Sequence, residues 1–311
     1  MARELALLGC REAVVTGGEP LLRPAWRDVC RTLASLGVNV SLVTNGTLLD
    51  RTTLAEARAV GVGVIGISID GLERTHDRIR PHEGPGKSPW RDTVAALERC
   101  AGALPTVAIT QVNRLNVEEL PDVGRLLVGL GVTRWQIQLA IPMGRVRDLP
   151  GPFALEPEHL ESLAAFLVNA LRDPGQPLID VSDTIGYCTG EDALFRGRRR
   201  DDGTTVPGVW LGCTAGLSAV AITYEGRVRG CSMMPPELDA GSLHDESLAT
   251  IWNDATRFSY TTEFRPERLR GRCAECKLGG LCRGGCTTMA YWSTGTVAEN
   301  PYCLRAQRGA S

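Results

Sequence analysis

The chain has 311 residues, 43% of them apolar, with 34 basic against 36 acidic side chains and a net charge of −2. That length suits one large domain or two smaller ones, and the apolar share supports a buried core. The charge balance excludes a general field for nucleic acid or an anionic membrane.

The sequence has no run of about 18 apolar residues and no signal-peptide architecture before Gly9, so it reads as soluble and cytoplasmic. Eleven cysteines in such a chain point to metal ligation rather than disulfides. Four arginines within residues 196–200, followed by Asp201 and Asp202, read as a solvated loop.

Residues 4–9 read as the last turns of a helix that closes at Gly9, with nothing before it, so the amino terminus looks cut. A strand over 13–16 runs into Gly17-Gly18-Glu19-Pro20. The next helix carries Trp26, Val29, Cys30, Leu33 and Leu36 on one stripe and stops at Gly37. The unit then repeats, with strands over 38–44, 62–69, 106–112 and 134–141 and helices over 54–60, 90–101 and 118–130. Apolar strands alternating with helices predict a parallel sheet covered by helices and joined by right-handed crossovers. Chemistry in such sheets sits at the carboxyl ends of the strands. There this chain turns polar: Thr16 to Glu19, Thr44-Asn45-Gly46, Ser68-Ile69-Asp70-Gly71, and Gln111-Val112-Asn113.

A helix with Leu160, Leu163, Phe166, Leu167 and Leu171 on one stripe follows, entered at Pro157 and left at Asp173-Pro174-Gly175. Residues 172–212 read as irregular and contain Tyr187-Cys188. A hairpin is predicted over 219–230, flanked by Cys213 and Cys231, and a short helix over 247–253. Cys273, Cys276, Cys282 and Cys286 then fall within 14 residues, interleaved with glycines, and Cys303 follows. Four thiols at that density suit tetrahedral zinc or an iron–sulfur cluster equally. Seven leave three beyond one closed zinc site, a remainder that a cluster with an open iron tolerates. Cys10, Cys30 and Cys100 read as core.

Cys213-x12-Gly226-x4-Cys231, then Cys273-x2-Cys276-x5-Cys282-x3-Cys286 and Cys303, resembles the SPASM (twitch-type) extension of radical S-adenosylmethionine enzymes. Gly17-Gly18-Glu19-Pro20, Thr44-Asn45-Gly46 and Ser68-Ile69-Asp70-Gly71, with His76-Asp77 and Arg80, resemble the motifs of that family's barrel. The resemblance implies an α/β fold, a partial (β/α)6 TIM-like barrel lacking its first strand, followed by a small SPASM domain with a β-hairpin. The division expected is a partial barrel over 1–150, a bridging helix and loop over 151–212, and the SPASM domain over 213–311.

The implied cofactors are S-adenosylmethionine and 4Fe–4S clusters, two of them auxiliary. Gly17, Gly18, Glu19, Pro20, Thr44, Asn45, Ser68, Asp70, Arg80 and Asn113 are the implied cofactor-binding residues. By resemblance Cys273, Cys276, Cys282 and Cys303 close one auxiliary cluster, and Cys213, Cys231 and Cys286 hold the other. Cys188 or a substrate group is a candidate to complete the second. Those three thiols are expected to gather even without metal, across a turn at Arg283-Gly284-Gly285. The family's C-x3-C-x2-C loop does not occur in the sequence, so the chain as written is expected not to cleave S-adenosylmethionine reductively.

The function implied is modification, by crosslinking or oxidation, of side chains in a ribosomally made peptide or protein, served by an external electron donor. Sulfatase-maturing relatives carry an aspartate after the cysteine of G-x4-C, where this chain has Ser232, which disfavours that alternative. A non-catalytic iron–sulfur or zinc scaffold is the alternative outside enzymes.

Overall fold

A computed structural model describes residues 1–81, 87–144, 146, 153–199 and 205–309. The chain folds as two units, Met1–Ile137 with Asp173–Asp180, and Gln138–Arg172 with Val181–Ser311. Among the described residues no helix is long and apolar enough to cross a membrane.

The first unit is built on strands β1 (Glu12–Val15), β2 (Asn39–Thr44), β3 (Val62–Ser68), β4 (Thr106–Val112), β5 (Arg134–Leu139) and β6 (Leu178–Val181), in that order across one sheet. Strands β1 to β4 pair in parallel, Glu12 opposite Asn39, Val40 opposite Val62 and Ile65 opposite Thr106. Helices α1 (Ala2–Leu7), α2 (Trp26–Ser35), α3 (Arg51–Ala59), α4 (Glu73–Ile79), α5 (Pro89–Cys100) and α6 (Leu120–Gly129) lie between strands or before the first. The helix starts follow local chemistry. The Asp50 carboxylate accepts from Thr53 N at 2.7 Å before α3, and Ser88 caps α5 with Pro89 at its first position.

Leu42, Ile65, Ile67, Ala108, Val112 and Trp135 are fully buried, and the indole of Trp135 donates to Thr110 Oγ1 at 2.9 Å. Gly66 in β3 leaves room for its neighbours, since a Cβ there would lie 2.8 Å from the Ile109 side chain and 2.9 Å from that of Val43. The edge strand β1 is half exposed, with Val14 at 60%. In this unit the sequence reading did not include α4 or the sixth strand β6, which lies inside the stretch read as irregular. That stretch also contains the helix Asp192–Phe195 and the short strand pair Arg198–Arg199 and Thr205–Val206.

Cys30 and Cys100 are core, as read, but Cys10 is not, since its thiol lies near the surface and donates to Glu12 O at 3.3 Å. The arginine run also departs from a solvated loop at its first member. The Arg196 guanidinium donates to Val181 O and Ser182 O at 3.2 and 3.0 Å, and stacks 5.1 Å from the Trp210 ring centroid. Backbone carbonyls left unpaired by irregular chain need such a donor fork. Arg200 lies outside the described residues.

In the second unit, the helix Leu160–Arg172 buries Leu160, Leu163, Ala164 and Leu167. Strands Ala221–Ile222 and Arg227–Arg229 form the predicted hairpin, and Gly241–Ser242 adds a third antiparallel strand. Ser247 caps the helix Leu248–Asn253 by accepting from Thr250 N at 3.1 Å.

Candidate functional site

The carboxyl ends of β1 to β4 carry the polar residues nominated from the sequence. Glu19 stitches the first two together. Its Oε1 accepts from Leu21 N at 3.1 Å and from Thr44 Oγ1 at 2.7 Å, and its Oε2 from Asn45 N at 2.8 Å. A carboxylate has about four acceptor positions, so one remains on Oε2 for a ligand. Thr44 is buried, and its hydroxyl also accepts from Gly46 N at 3.1 Å. Pro20 is buried at the start of the following single turn, and a Cβ on Gly17 or Gly18 would meet no atom within 4 Å. Bare backbone beside open space is what close approach of a ligand requires.

Ser68 and Asp70 are buried at the end of β3. Asp70 Oδ2 pairs with Arg80 Nε at 2.6 Å, and Oδ1 accepts from Gln111 N at 2.8 Å. Asp70 N donates to His76 Nδ1 at 3.0 Å, and burial pushes the His76 pKa down to about 4. Asn116 Nδ2 donates to Asp70 O and Gln111 O, bridging β3 and β4, while Asn113 Oδ1 accepts from Leu115 N at 2.9 Å. Six of the ten nominated residues thus fall into two nets, one around Glu19, Thr44 and Asn45 and one around Asp70, Arg80 and Asn113, while Gly17, Gly18, Pro20 and Ser68 lie beside them along the chain. His76 was read only as part of a motif and Asn116 not at all. The spacing of Asn113 and Asn116, two short amides at one strand end, was the available signal.

The thiols of the second unit fall into two groups. A cavity of about 310 Å³ is lined by Cys188, Cys273, Cys276, Cys282 and Cys303, together with Gly279, Gly284 and Asn300. Burial raises the Cys273 and Cys303 thiols, and charge on Cys273 and Cys276 raises Cys303 further. Cys286 turns away from this group. Arg283, Gly284 and Gly285 have φ of 58°, 79° and 73°, the turn anticipated between Cys282 and Cys286. A Cβ at Gly285 would lie 2.9 Å from the Tyr187 ring, so two requirements converge on glycine there.

Burial pushes Cys286 up to about 11, and charge on Cys213 and Cys231 adds to it. Tyr260, whose hydroxyl accepts from Gly230 N at 3.1 Å, is pushed up to about 12 by burial and by the same two cysteines. Cys213, Cys231 and Cys286 are therefore electrostatic neighbours. Among the described residues no three His, Cys, Asp or Glu side chains converge as a site for a single ion. Cys188 belongs to the other group. It sits on the cavity beside Cys282 instead of completing the set of Cys213, Cys231 and Cys286.

Residues 1–127 match the radical SAM superfamily model, and residues 213–277 match the SPASM model, an iron–sulfur cluster-binding domain. The chain is thus similar to the radical SAM superfamily over its first 127 residues and to a SPASM domain over residues 213–277. Its enzyme-named relatives include an AdoMet-dependent heme synthase of Methanosarcina barkeri, 27% identical over 97% of this chain and 84% of that protein. A PqqA peptide cyclase of Methylocella silvestris is 26% identical over 96% of this chain and 76% of that one. In fold the chain is similar to native anSMEcpe with bound AdoMet, with a TM-score of 0.72 at 16% identity, covering 100% of this chain and 84% of that one. The two matches imply 4Fe–4S clusters and S-adenosylmethionine as cofactors. The donor set fits: soft thiols ring a cavity at which glycines keep the backbone close, since a Cβ at Gly279 would lie 2.6 Å from Cys273 O.

Proposed function

We propose that this SPASM-type radical SAM enzyme oxidises or crosslinks side chains of a ribosomally made peptide or protein, in the cytoplasm and with an external electron donor. The observation that carries the redox part is the cavity ringed by Cys188, Cys273, Cys276, Cys282 and Cys303, with Cys213, Cys231 and Cys286 grouped apart. When bound, auxiliary clusters would supply one-electron transfer, whereas hydrogen-atom abstraction through S-adenosylmethionine would also need a radical cluster, whose C-x3-C-x2-C ligands do not occur in these 311 residues. Cys273, Cys276, Cys282 and Cys303 would hold one auxiliary cluster, and Cys213, Cys231 and Cys286 the other.

Gly17, Gly18, Glu19, Pro20, Thr44, Asn45, Ser68, Asp70, Arg80 and Asn113 would shape the cofactor's rim. Within it Glu19 offers its remaining lone pair, and Asp70 holds Arg80 in place. A division into 1–150, 151–212 and 213–311 accompanies this reading. Likeness over 96% of the chain to a PqqA peptide cyclase supports a peptide substrate. Ser232 stands where sulfatase-maturing enzymes would need an aspartate, and a serine cannot serve as that base.

A second reading, an iron porphyrin as substrate, is favoured by the likeness to a heme synthase over 97% of the chain. Binding separates the two. The anaerobically reconstituted chain would be titrated with a panel of short unmodified peptides and with an iron porphyrin. Saturable peptide binding alone supports the first reading. Saturable porphyrin binding with a shifted porphyrin absorption band, and none to any peptide, overturns it in favour of the second.

A further inference from the structure

The cavity of Cys273, Cys276, Cys282 and Cys303 lies under a surface unlike the chain as a whole. Residues 263–283 carry six cations, Arg265, Arg268, Arg270, Arg272, Lys277 and Arg283, against three acids, Glu263, Glu267 and Glu275. Six against three leaves +3 in a segment of a chain whose net charge is −2. All six cations are exposed.

The fold sets this charge around the cavity. Leu269 is buried and packs on two glycines of the cavity wall, since its methyls would lie 2.8 Å from a Cβ on Gly279 and 3.5 Å from one on Gly284. Its neighbours Arg268 and Arg270 therefore stand outward over that wall, Arg268 at 54% exposure. Arg272 lines the cavity itself and donates to Ala306 O at 3.3 Å, and Lys277 follows Cys276 directly. The acids offset only part of the field. Arg268 approaches Glu263 no closer than 3.9 Å, Arg270 donates to the carbonyls of Glu267 and Leu269 at 3.2 and 3.0 Å, and Glu299 is half-buried against Gly271. Leu281, 44% exposed, adds one apolar side chain to the same segment.

A cationic rim with so little apolar surface suits brief, steered encounters rather than a permanent interface. Electron-transfer complexes are of that kind: they are small and weak, and complementary charge raises their on-rate more than their affinity. The thiols beneath the rim suit a centre that exchanges single electrons. We propose that residues 265–283 are the docking surface for an acidic protein bearing a one-electron redox group, and that the external donor of the proposed function enters here. One electron passes from the reduced carrier to the centre held by Cys273, Cys276, Cys282 and Cys303. The carrier is oxidised and the centre reduced; no bond forms or breaks and no proton moves. This rests on the iron–sulfur reading of the cavity.

The test follows reduction of the full chain, reconstituted anaerobically, by rapid mixing. The probes are reduced plant-type 2Fe–2S ferredoxin, an acidic one-electron protein, and the methyl viologen radical, a small cation of similar potential. Ferredoxin should reduce the wild type at a rate that falls steeply with salt, and the Arg268→Glu/Lys277→Glu pair about tenfold more slowly at low salt. The milder Arg268→Gln/Lys277→Gln pair should fall between them. Both pairs should keep the wild-type iron content, and viologen should reduce them at least as fast as the wild type. A wild-type chain that takes up no iron overturns the iron–sulfur reading itself, and this proposal with it. An iron-loaded chain that viologen reduces and ferredoxin does not, equal ferredoxin rates in wild type and variants, or a rate indifferent to salt overturns the docking surface alone. So does binding of a polyglutamate peptide that both pairs lose while their ferredoxin rates stay unchanged, which would assign the rim to an acidic peptide.

Discussion

His76 shows how burial sets the behaviour of a single side chain. Its Nδ1 accepts from Asp70 N, so it is held neutral, with its pKa lowered from 6.5 to about 4. The unfolded chain binds a proton at higher pH than the folded one. Stability is therefore complete above about pH 6.5 and falls as pH drops through about 4. A shift of that size is worth up to about 3 kcal/mol. His76→Asn, which keeps an acceptor near Nδ1 and removes the titration, should flatten this acid limb in denaturant melts; an unchanged limb would contradict the assignment.

Cys286 works in the opposite direction. Its thiol is raised from 9.0 to about 11 by burial, so the folded, metal-free chain keeps its proton longer than the unfolded one. Its contribution is whole below pH 9 and lost as pH rises through about 11. Cys286→Ala should make the alkaline limb of the metal-free protein shallower. Melts of the two proteins between those pH values would show whether it does.

At the scale of elements, the turn Arg283-Gly284-Gly285 decides where each flanking thiol points. Both glycines have positive φ, but a Cβ at Gly284 would meet only ordinary contacts at 3.5 Å, whereas one at Gly285 would lie 2.8 Å from Asn300 and 2.9 Å from Tyr187. Gly284→Ala should therefore cost about 1–2 kcal/mol, the left-handed penalty alone. Gly285→Ala should cost more and also lower iron content, because the Tyr187 segment must shift away from the cavity. Equal melting temperatures for the two variants would show that the clash is relieved without moving that segment.

The strand ends of the first unit follow similar logic. Glu19 locks β1 to β2 and Asp70 locks β3 to β4, so the rim is built before any ligand arrives. Preorganised polar groups spare a ligand the cost of ordering them.

For the molecule as a whole, the two thiol groups imply two separable metal centres in the second unit. Cys273→Ala and Cys286→Ala should each remove part of the iron and the double variant should remove both parts, read as iron and sulfide per chain. Loss of all iron from either single variant would mean that the centres are not independent. Thiols raised by burial must shed protons to bind metal. Iron uptake by the metal-free chain should thus rise steadily with pH, and a flat profile would argue that these thiols are not the ligands.

Much of this was legible in the residues themselves. Apolar runs such as residues 62–69 and 106–112, each closed by polar residues, declare parallel strands because both faces of such a strand must be buried. The spacing of Cys273, Cys276, Cys282 and Cys286 declares a soft-metal site because so many close thiols have few other uses. Local rules also placed Gly284 and Gly285 in a turn, since positive φ is a local requirement.

Tertiary structure alone decided what depends on distant partners. Residues 178–181 are too short and too isolated to announce a strand, and they become one only because β5 offers an edge. Arg196 reads as one of a charged run until the carbonyls of Val181 and Ser182 and the ring of Trp210 surround it. Cys188 gives no sign of its destination. Its place beside Cys282 is set by Asp192, Trp210 and Asn300, groups brought together by packing rather than by spacing along the chain.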